Sequence, residues 1–175
     1  LKEHGIDSYN HNLETSERYY ADICQTHAWS ERYETCENVK SVGLALCSGG
    51  IFGMGETAED REALLDAIAS LSPESTPLNF YHPNPALPIK TRNIELDEAV
   101  KIIKKARALL GEENLLMVAG GRELLFTGKE DLMFEAGANA MVIGNYLTTE
   151  GITASSDKKM LDSLGYEIAT SCDAR

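Results

Sequence analysis

Leu44-Ala45-Leu46-Cys47-Ser48-Gly49-Gly50-Ile51-Phe52-Gly53-Met54-Gly55-Glu56-Thr57 is the stretch from which the rest of the chain is read. Leu44 to Cys47 is a short apolar run of the kind that becomes a buried strand. Gly49, Gly50, Gly53 and Gly55 follow and leave a loop almost bare of side chains. Thr57 then caps a helix with Asp60 three places on, and Ala63, Leu64, Ala67, Ile68 and Leu71 make its apolar face. The stretch is thus one strand–loop–helix unit with a thiol at the strand tip. A bare loop in that place lets backbone approach a large ligand closely. A buried small thiol beside a tight turn explains the same residues equally well. No Lys-Ser/Thr follows the glycines, so this is not a Walker loop, and their spacing also fails the dinucleotide fingerprint.

The same unit recurs on both sides. Ile6 to Tyr9, Pro77 to Tyr81, Leu115 to Ala119 and Ala140 to Gly144 are further strand candidates. Helices are expected after Ser30 (to Gly43), after Asp97 (to Gly111), over Lys129–Ala136 and over Asp157–Leu164, ended by Gly165. His82 to Asn93, with Pro83, Pro85 and Pro88, reads as a loop. Five strand-then-helix units require parallel strands covered by helices. They suit an open doubly wound sheet or part of an eight-fold barrel, and in both a ligand sits at the carboxyl ends of the strands.

Those ends carry a consistent chemistry. Asn10, Asn12, Asn79 and Asn145 offer neutral amides with both donor and acceptor, which suits a flat polar group such as a urea or lactam. Asparagine is also common in turns for purely local reasons. Glu14 is placed to accept from ribose hydroxyls, and Thr148 and Thr149 to hold a carboxylate. His11 and His27 are the acid–base candidates. No paired carboxylates and no Ser/His/Asp order point to hydrolysis. Arg122 beside Glu123 reads as a structural ion pair.

Composition sets limits on partners. The chain has 175 residues, 43% hydrophobic and 25% charged, which is enough for one domain with a core. Its formal net charge of -12 argues against nucleic acid and anionic membrane. No apolar run approaches a bilayer span of about 20 residues. Cys24, Cys36, Cys47 and Cys172 have neither the density nor the spacing of a disulfide scaffold, so free thiols and a cytoplasmic location are expected. Leu1-Lys2-Glu3-His4-Gly5 reads as a helix end, which leads us to expect the C-terminal portion of a longer protein.

Five motifs together carry a resemblance that none carries alone: Tyr9-Asn10-His11-Asn12-Leu13-Glu14-Thr15, Cys47 to Glu56, Pro77-Leu78-Asn79-Phe80, Ala119-Gly120-Gly121-Arg122-Glu123, and Ala136 to Ala140 with Leu147-Thr148-Thr149. In order and spacing, from about Gly5 to Gly165, they resemble the biotin synthases of the radical S-adenosylmethionine family. The resemblance implies a (β/α)8 TIM-type barrel, of which residues 1–175 form a C-terminal portion of about five parallel βα units. It includes the biotin/thiamin-synthesis-associated region at about 76–165.

It further implies sulfur insertion into dethiobiotin. A four-iron 4Fe-4S cluster would cleave S-adenosylmethionine to a radical, and an auxiliary 2Fe-2S cluster or a variant of it would supply the sulfur. Cys47 matches a ligand of that auxiliary cluster. Asn10, Asn12 and Asn79 match dethiobiotin-binding residues, with Asn12 also bordering S-adenosylmethionine. Glu14 matches the ribose-binding position, usually aspartate. Ile51 matches an adenine-packing residue within Gly-x-Ile-x-Gly-x-x-Glu. Thr148 and Thr149 match residues near the substrate carboxylate.

The family's Cys-x3-Cys-x2-Cys triad lies N-terminal to the matched region, and so do two further ligands of the auxiliary cluster. No catalytic residue is assigned in this portion, which is expected to be inactive alone. Met117 stands where better-studied members carry an arginine ligand, and this leaves the type of auxiliary cluster open. A reducing protein such as a flavodoxin or ferredoxin and a homodimeric state also follow from the resemblance. The other readings are a related radical enzyme acting on a different small molecule and a non-catalytic scaffold.

Overall fold

A computed structural model describes residues 2–145 and 151–170. After a turn of 3-10 helix at Lys2–His4 come β1 (Ser8–Asn10), α1 (Glu17–Ile23), α2 (Trp29–Ser41), β2 (Ala45–Cys47), β3 (Gly50–Phe52) and α3 (Ala58–Leu71). They are followed by β4 (Ser75–Phe80), α4 (Leu96–Leu110), β5 (Leu115–Val118), α5 (Arg122–Leu125), α6 (Asp131–Glu135), β6 (Ala140–Met141) and α7 (Ala154–Leu164). Every strand pairing is parallel, in the order β1-β2-β4-β5-β6, with β3 also alongside β4. Among the described residues the sheet does not close.

Local sequence accounts for most helix ends. Thr57 accepts from the Asp60 N–H, and the Asp60 carboxylate accepts from the Thr57 N–H at 2.9 Å, which is the expected capping box of α3. Gly111 and Gly165 end α4 and α7 as expected. Three helix starts fall elsewhere than expected. α2 begins one residue before Ser30, because Glu31 reaches back to the Ala28 N–H at 3.0 Å. α4 takes Glu95 as its cap and holds Asp97 in its first turn. α7 is capped by Thr153, and Asp157 is instead buried against Arg122.

Three elements have no counterpart in the sequence reading, of which one is the single turn α5 that follows Gly121. α1, capped by Ser16, buries only Tyr20, so it shows no apolar period. β3 lies inside the glycine stretch that reads as loop. Its register explains it: Cys47 pairs with Ser75 and Gly50 with Leu78, so β2 and β3 are two halves of one strand line. The lapse between them, Ser48 and Gly49, lies beside Pro77, which has no N–H to give to a ladder. Gly49 is required there, because a Cβ would stand 1.9 Å from the Pro77 carbonyl oxygen.

The two faces of the sheet differ. Leu46, Phe52, Leu78, Phe80, Leu116 and Val118 are all fully buried beneath the helices, and Phe80 packs between Phe52 and Phe126. On the opposite face Ala45, Cys47, Ile51, Asn79, Leu115 and Met117 are only half-buried. A doubly wound sheet would carry helices on both faces. A parallel sheet covered on one side is the wall of a barrel, its half-open face the interior, so the (β/α)8 reading holds and the doubly wound one does not.

Candidate active site

The strand registers place Asn10 opposite Cys47 and Ile51 opposite Asn79, so these four side chains share the half-open face. Asn10 Nδ2 donates to Cys47 Sγ at 3.0 Å. The backbone beyond β1 follows the glycine line closely: His11 N donates to the Cys47 carbonyl and Leu13 N to the Gly49 carbonyl, each at 2.9 Å. Asn12 Oδ1 accepts from Gly49 N at 3.1 Å, which leaves its Nδ2 uncommitted. Asn79 bridges two loops, donating Nδ2 to the Gly50 carbonyl at 3.2 Å and accepting on Oδ1 from Gly120 N at 3.0 Å. Each of the three amides thus spends one or two hydrogen bonds fixing the site and keeps capacity for a ligand.

Glu14 is held in the left-handed region at φ 70. Its carbonyl accepts from Ile51 N at 2.7 Å, and its Oε1 accepts from Arg32 Nη2 at 2.6 Å. Arg32 was not foreseen, because it lies on α2, 18 positions from its partner. Its Nε is buried and has no hydrogen-bond partner among the described residues. A cationic N–H left bare beside an expected ribose site is an open donor for an anion. His11 sits between these groups, where burial first and then Arg32 push its pKa below the ordinary value.

Glu56 closes the glycine loop from inside. Its carboxylate accepts from Gly53 N at 2.6 Å, Met54 N at 2.7 Å and Arg61 Nε at 2.7 Å. Arg61 also pairs with Glu98 and donates to the Asn93 carbonyl at 2.9 Å. Asn93 in turn accepts from Gly55 N at 3.1 Å and donates to the Glu56 carbonyl at 3.0 Å. The loop's glutamate is therefore a buried organiser rather than a ligand, and Asn93 and Arg61 support it.

One expectation resolves differently. Arg122 does not pair with Glu123. It pairs with Asp157 at 2.6 Å, both fully buried, while Glu123 meets His82 Nδ1 at 3.1 Å. Cys36 is buried core, as its place on an apolar helix face implies. Thr148, Thr149 and Cys172 lie outside the described residues. Asn145 is exposed and its Oδ1 accepts from Gly151 N at 3.2 Å.

Residues 77–167, just over half the chain, match the model of the Biotin and Thiamin Synthesis associated domain. The chain belongs to that family. Residues 1–68 match the Radical SAM superfamily model. Curated relatives include a biotin synthase of Sulfurovum sp., 76% identical over 99% of this chain and 61% of that relative. Another is a biotin synthase of Aliarcobacter butzleri, 53% identical over 98% of this chain and 61% of the relative. The chain thus spans about three fifths of the length of the relatives it matches. Among solved structures, methylornithine synthase superposes with a TM-score of 0.77 at 20% identity, covering 98% of this chain and 55% of that one. The hydrogenase maturase HydG of Carboxydothermus hydrogenoformans gives 0.75 at 15% over 100% and 46%. At those identities the likeness concerns the fold, and it agrees with the barrel wall found here. No helix among the described residues is long and apolar enough to cross a membrane.

Proposed function

We propose that this chain is the C-terminal portion of the barrel of a biotin synthase, which inserts sulfur into dethiobiotin in a radical S-adenosylmethionine reaction. The observation that carries the proposal is the 3.0 Å contact from the Asn10 amide to the Cys47 sulfur. It brings a thiol and a neutral amide together at one strand mouth, which supports reading the first as a cluster ligand and the second as a binder of a urea group.

The donor set fits a metal cluster in part. Cys47 is half-buried on the inner face and receives an N–H, an environment suited to a ligating thiolate. Among the described residues no group of three or more His, Cys, Asp or Glu could hold a metal. On this reading Cys47 would be one ligand of an auxiliary 2Fe-2S or variant cluster, with the remaining ligands supplied by residues other than those described. Met117 shares its face, placed there by its pairing with Pro77. The ligands of the 4Fe-4S cluster also lie outside the chain. When bound, the clusters and S-adenosylmethionine supply the radical and sulfur chemistry.

The residues of this chain bind and orient. Asn10, Asn12 and Asn79 present amides to the ureido ring of dethiobiotin, and Thr148 and Thr149 take its carboxylate. Glu14 accepts from ribose hydroxyls, Ile51 packs on adenine, and Asn12 lies between the two ligands. Arg32, whose Nε has no hydrogen-bond partner among the described residues, would offer a cationic donor to an anionic group of the S-adenosylmethionine. Glu56, Arg61 and Asn93 hold the glycine loop to shape. A flavodoxin or ferredoxin as reductant, a homodimer and a cytoplasmic location complete the reading. The test is isothermal binding of dethiobiotin to the full-length, cluster-loaded protein. Asn79→Ala should abolish measurable binding and Cys47→Ala should weaken iron–sulfur absorbance. Unchanged cluster content in Cys47→Ala, or unchanged affinity in Asn79→Ala, overturns the assignment.

A further inference from the structure

We propose that Cys24, His27 and Tyr20 form a thiol-exchange site on the α1–α2 connection, which takes up small neutral or cationic disulfides as a mixed disulfide on Cys24. The cluster carries no role above, although it lies near enough to the site for His27 to act on His11 and for Arg32 and Glu14 to act on Tyr20. Cys24 Sγ lies 3.6 Å from His27 Nδ1 and 3.5 Å from Thr26 Oγ1. His27 Nε2 lies 2.8 Å from the Tyr20 hydroxyl, and the two rings meet edge-on at 5.8 Å. Tyr20 is only 3% exposed, so the residue behind the imidazole is fixed by the core. A nucleophile, a base within reach and a third group that orients the base are the parts of an activated thiol.

The surroundings define the ligand. A cleft of about 250 Å³ adjoins the sulfur, lined by Glu17, Tyr20, Cys24, His27, Trp29 and Ser30. It is smaller than the usual cofactor pocket, and its one charged lining group is a carboxylate, so it favours small disulfides without negative charge. The Thr26 hydroxyl foremost, then that of Tyr20, brings the thiol down to about 6, which keeps thiolate present at neutral pH.

The exchange balances without a further reagent. With Nε2–H given to the Tyr20 oxygen, His27 Nδ1 takes the thiol proton. The Cys24 thiolate attacks one sulfur of R–S–S–R, a new S–S bond forms as the old one breaks, and R–S⁻ leaves with the proton from His27. Cys24 is oxidised, and half of the small disulfide is reduced.

The measurement is the rate of mixed-disulfide formation on the intact protein, resolved by peptide mass spectrometry. The probes are the dialkyl disulfides cystamine (cationic), bis(hydroxyethyl) disulfide (neutral) and dithiodipropionate (anionic), each rate divided by that of the same probe with free N-acetylcysteine so that leaving-group differences cancel. A lower thiol pKa raises the thiolate fraction but lowers its nucleophilicity, so the expected contrasts are moderate. Cys24 should react with cystamine about tenfold faster than buried Cys36, and exposed His27→Gln should slow it about threefold or more. Tyr20→Phe should slow it likewise. Equal rates at Cys24 in wild type and His27→Gln overturn the proposal, and so does an anionic probe that reacts as fast as cystamine. His27 is on the surface, so His27→Gln leaves folding intact.

Discussion

The side-chain amide of Asn10 donates to the sulfur of Cys47 across 3.0 Å, although the two residues are 37 positions apart in sequence. Hydrogen bonds to cluster sulfurs raise reduction potentials, because they stabilise the more negative reduced state. If Cys47 ligates an auxiliary cluster as proposed, Asn10→Ala in the full-length, cluster-loaded protein should retain iron and shift that cluster's potential to a more negative value. Redox titration checks this, and an unchanged potential would mean that the amide does not act on the ligating sulfur.

Asn79 straps β3 to the loop after β5 through Gly50 and Gly120. Asn79→Ala should cost about 1–3 kcal/mol in denaturant unfolding, because two part-buried backbone groups lose a partner. Asn79→Asp keeps the acceptor for Gly120 N but sets a carboxylate against the Gly50 carbonyl, so it should destabilise more than alanine. The opposite ranking would show that the strap is not what holds these loops.

Gly49 and Gly121 lie against backbone that cannot yield. A Cβ would stand 1.9 Å from the Pro77 oxygen at the first and 1.8 Å from the Phe80 oxygen at the second. Gly49→Ala and Gly121→Ala should each cost at least about 3 kcal/mol. Gly128→Ala meets nothing within 4 Å and carries only its positive φ, so roughly 1 kcal/mol is expected there. Thermal melts of the three variants provide the comparison.

Asp60 makes a pH-dependent link between α1 and α3. Burial alone would raise its pKa, but hydrogen bonds from Ser16, the Thr57 N–H, Arg18 and the Thr57 hydroxyl outweigh it and hold the carboxyl at about 2. A depressed folded pKa adds stability above the unfolded value of 3.8 and loses it as pH falls through about 2. Asp60→Asn should therefore be about 1–2 kcal/mol less stable than wild type near neutrality. The gap should close between about pH 4 and 2. A gap that persists at pH 2 would assign the effect to packing.

Much of the fold is legible because its signals are local. Thr57 and Asp60 sit within one helical turn, Gly111 and Gly165 directly follow the helices they end, and the apolar run at Leu115 names β5 without outside help. β3 is hidden because Gly49, Gly50 and Gly53 flank Ile51 and Phe52 and leave an apolar run too short to read as a strand. It becomes a strand only when β4 supplies partners at Leu78, Asn79 and Phe80. α1 is hidden because only Tyr20 is buried on it. Arg122 reads as a partner of the adjacent Glu123, yet its charge is met by Asp157, 35 positions on, since neighbours in a helix do not face each other.

By itself the sequence determined the alternation of strands and helices, the amides and thiol at the strand tips, and the family to which those tips belong, because each is written in residue types and short spacings. Only the tertiary structure decided that Asn10 touches Cys47, that one face of the sheet stays half-open, and that Arg32 lies beside Glu14 with a bare N–H. Those are outcomes of strand register and helix packing, in which a shift of one residue would turn every side chain to the other face.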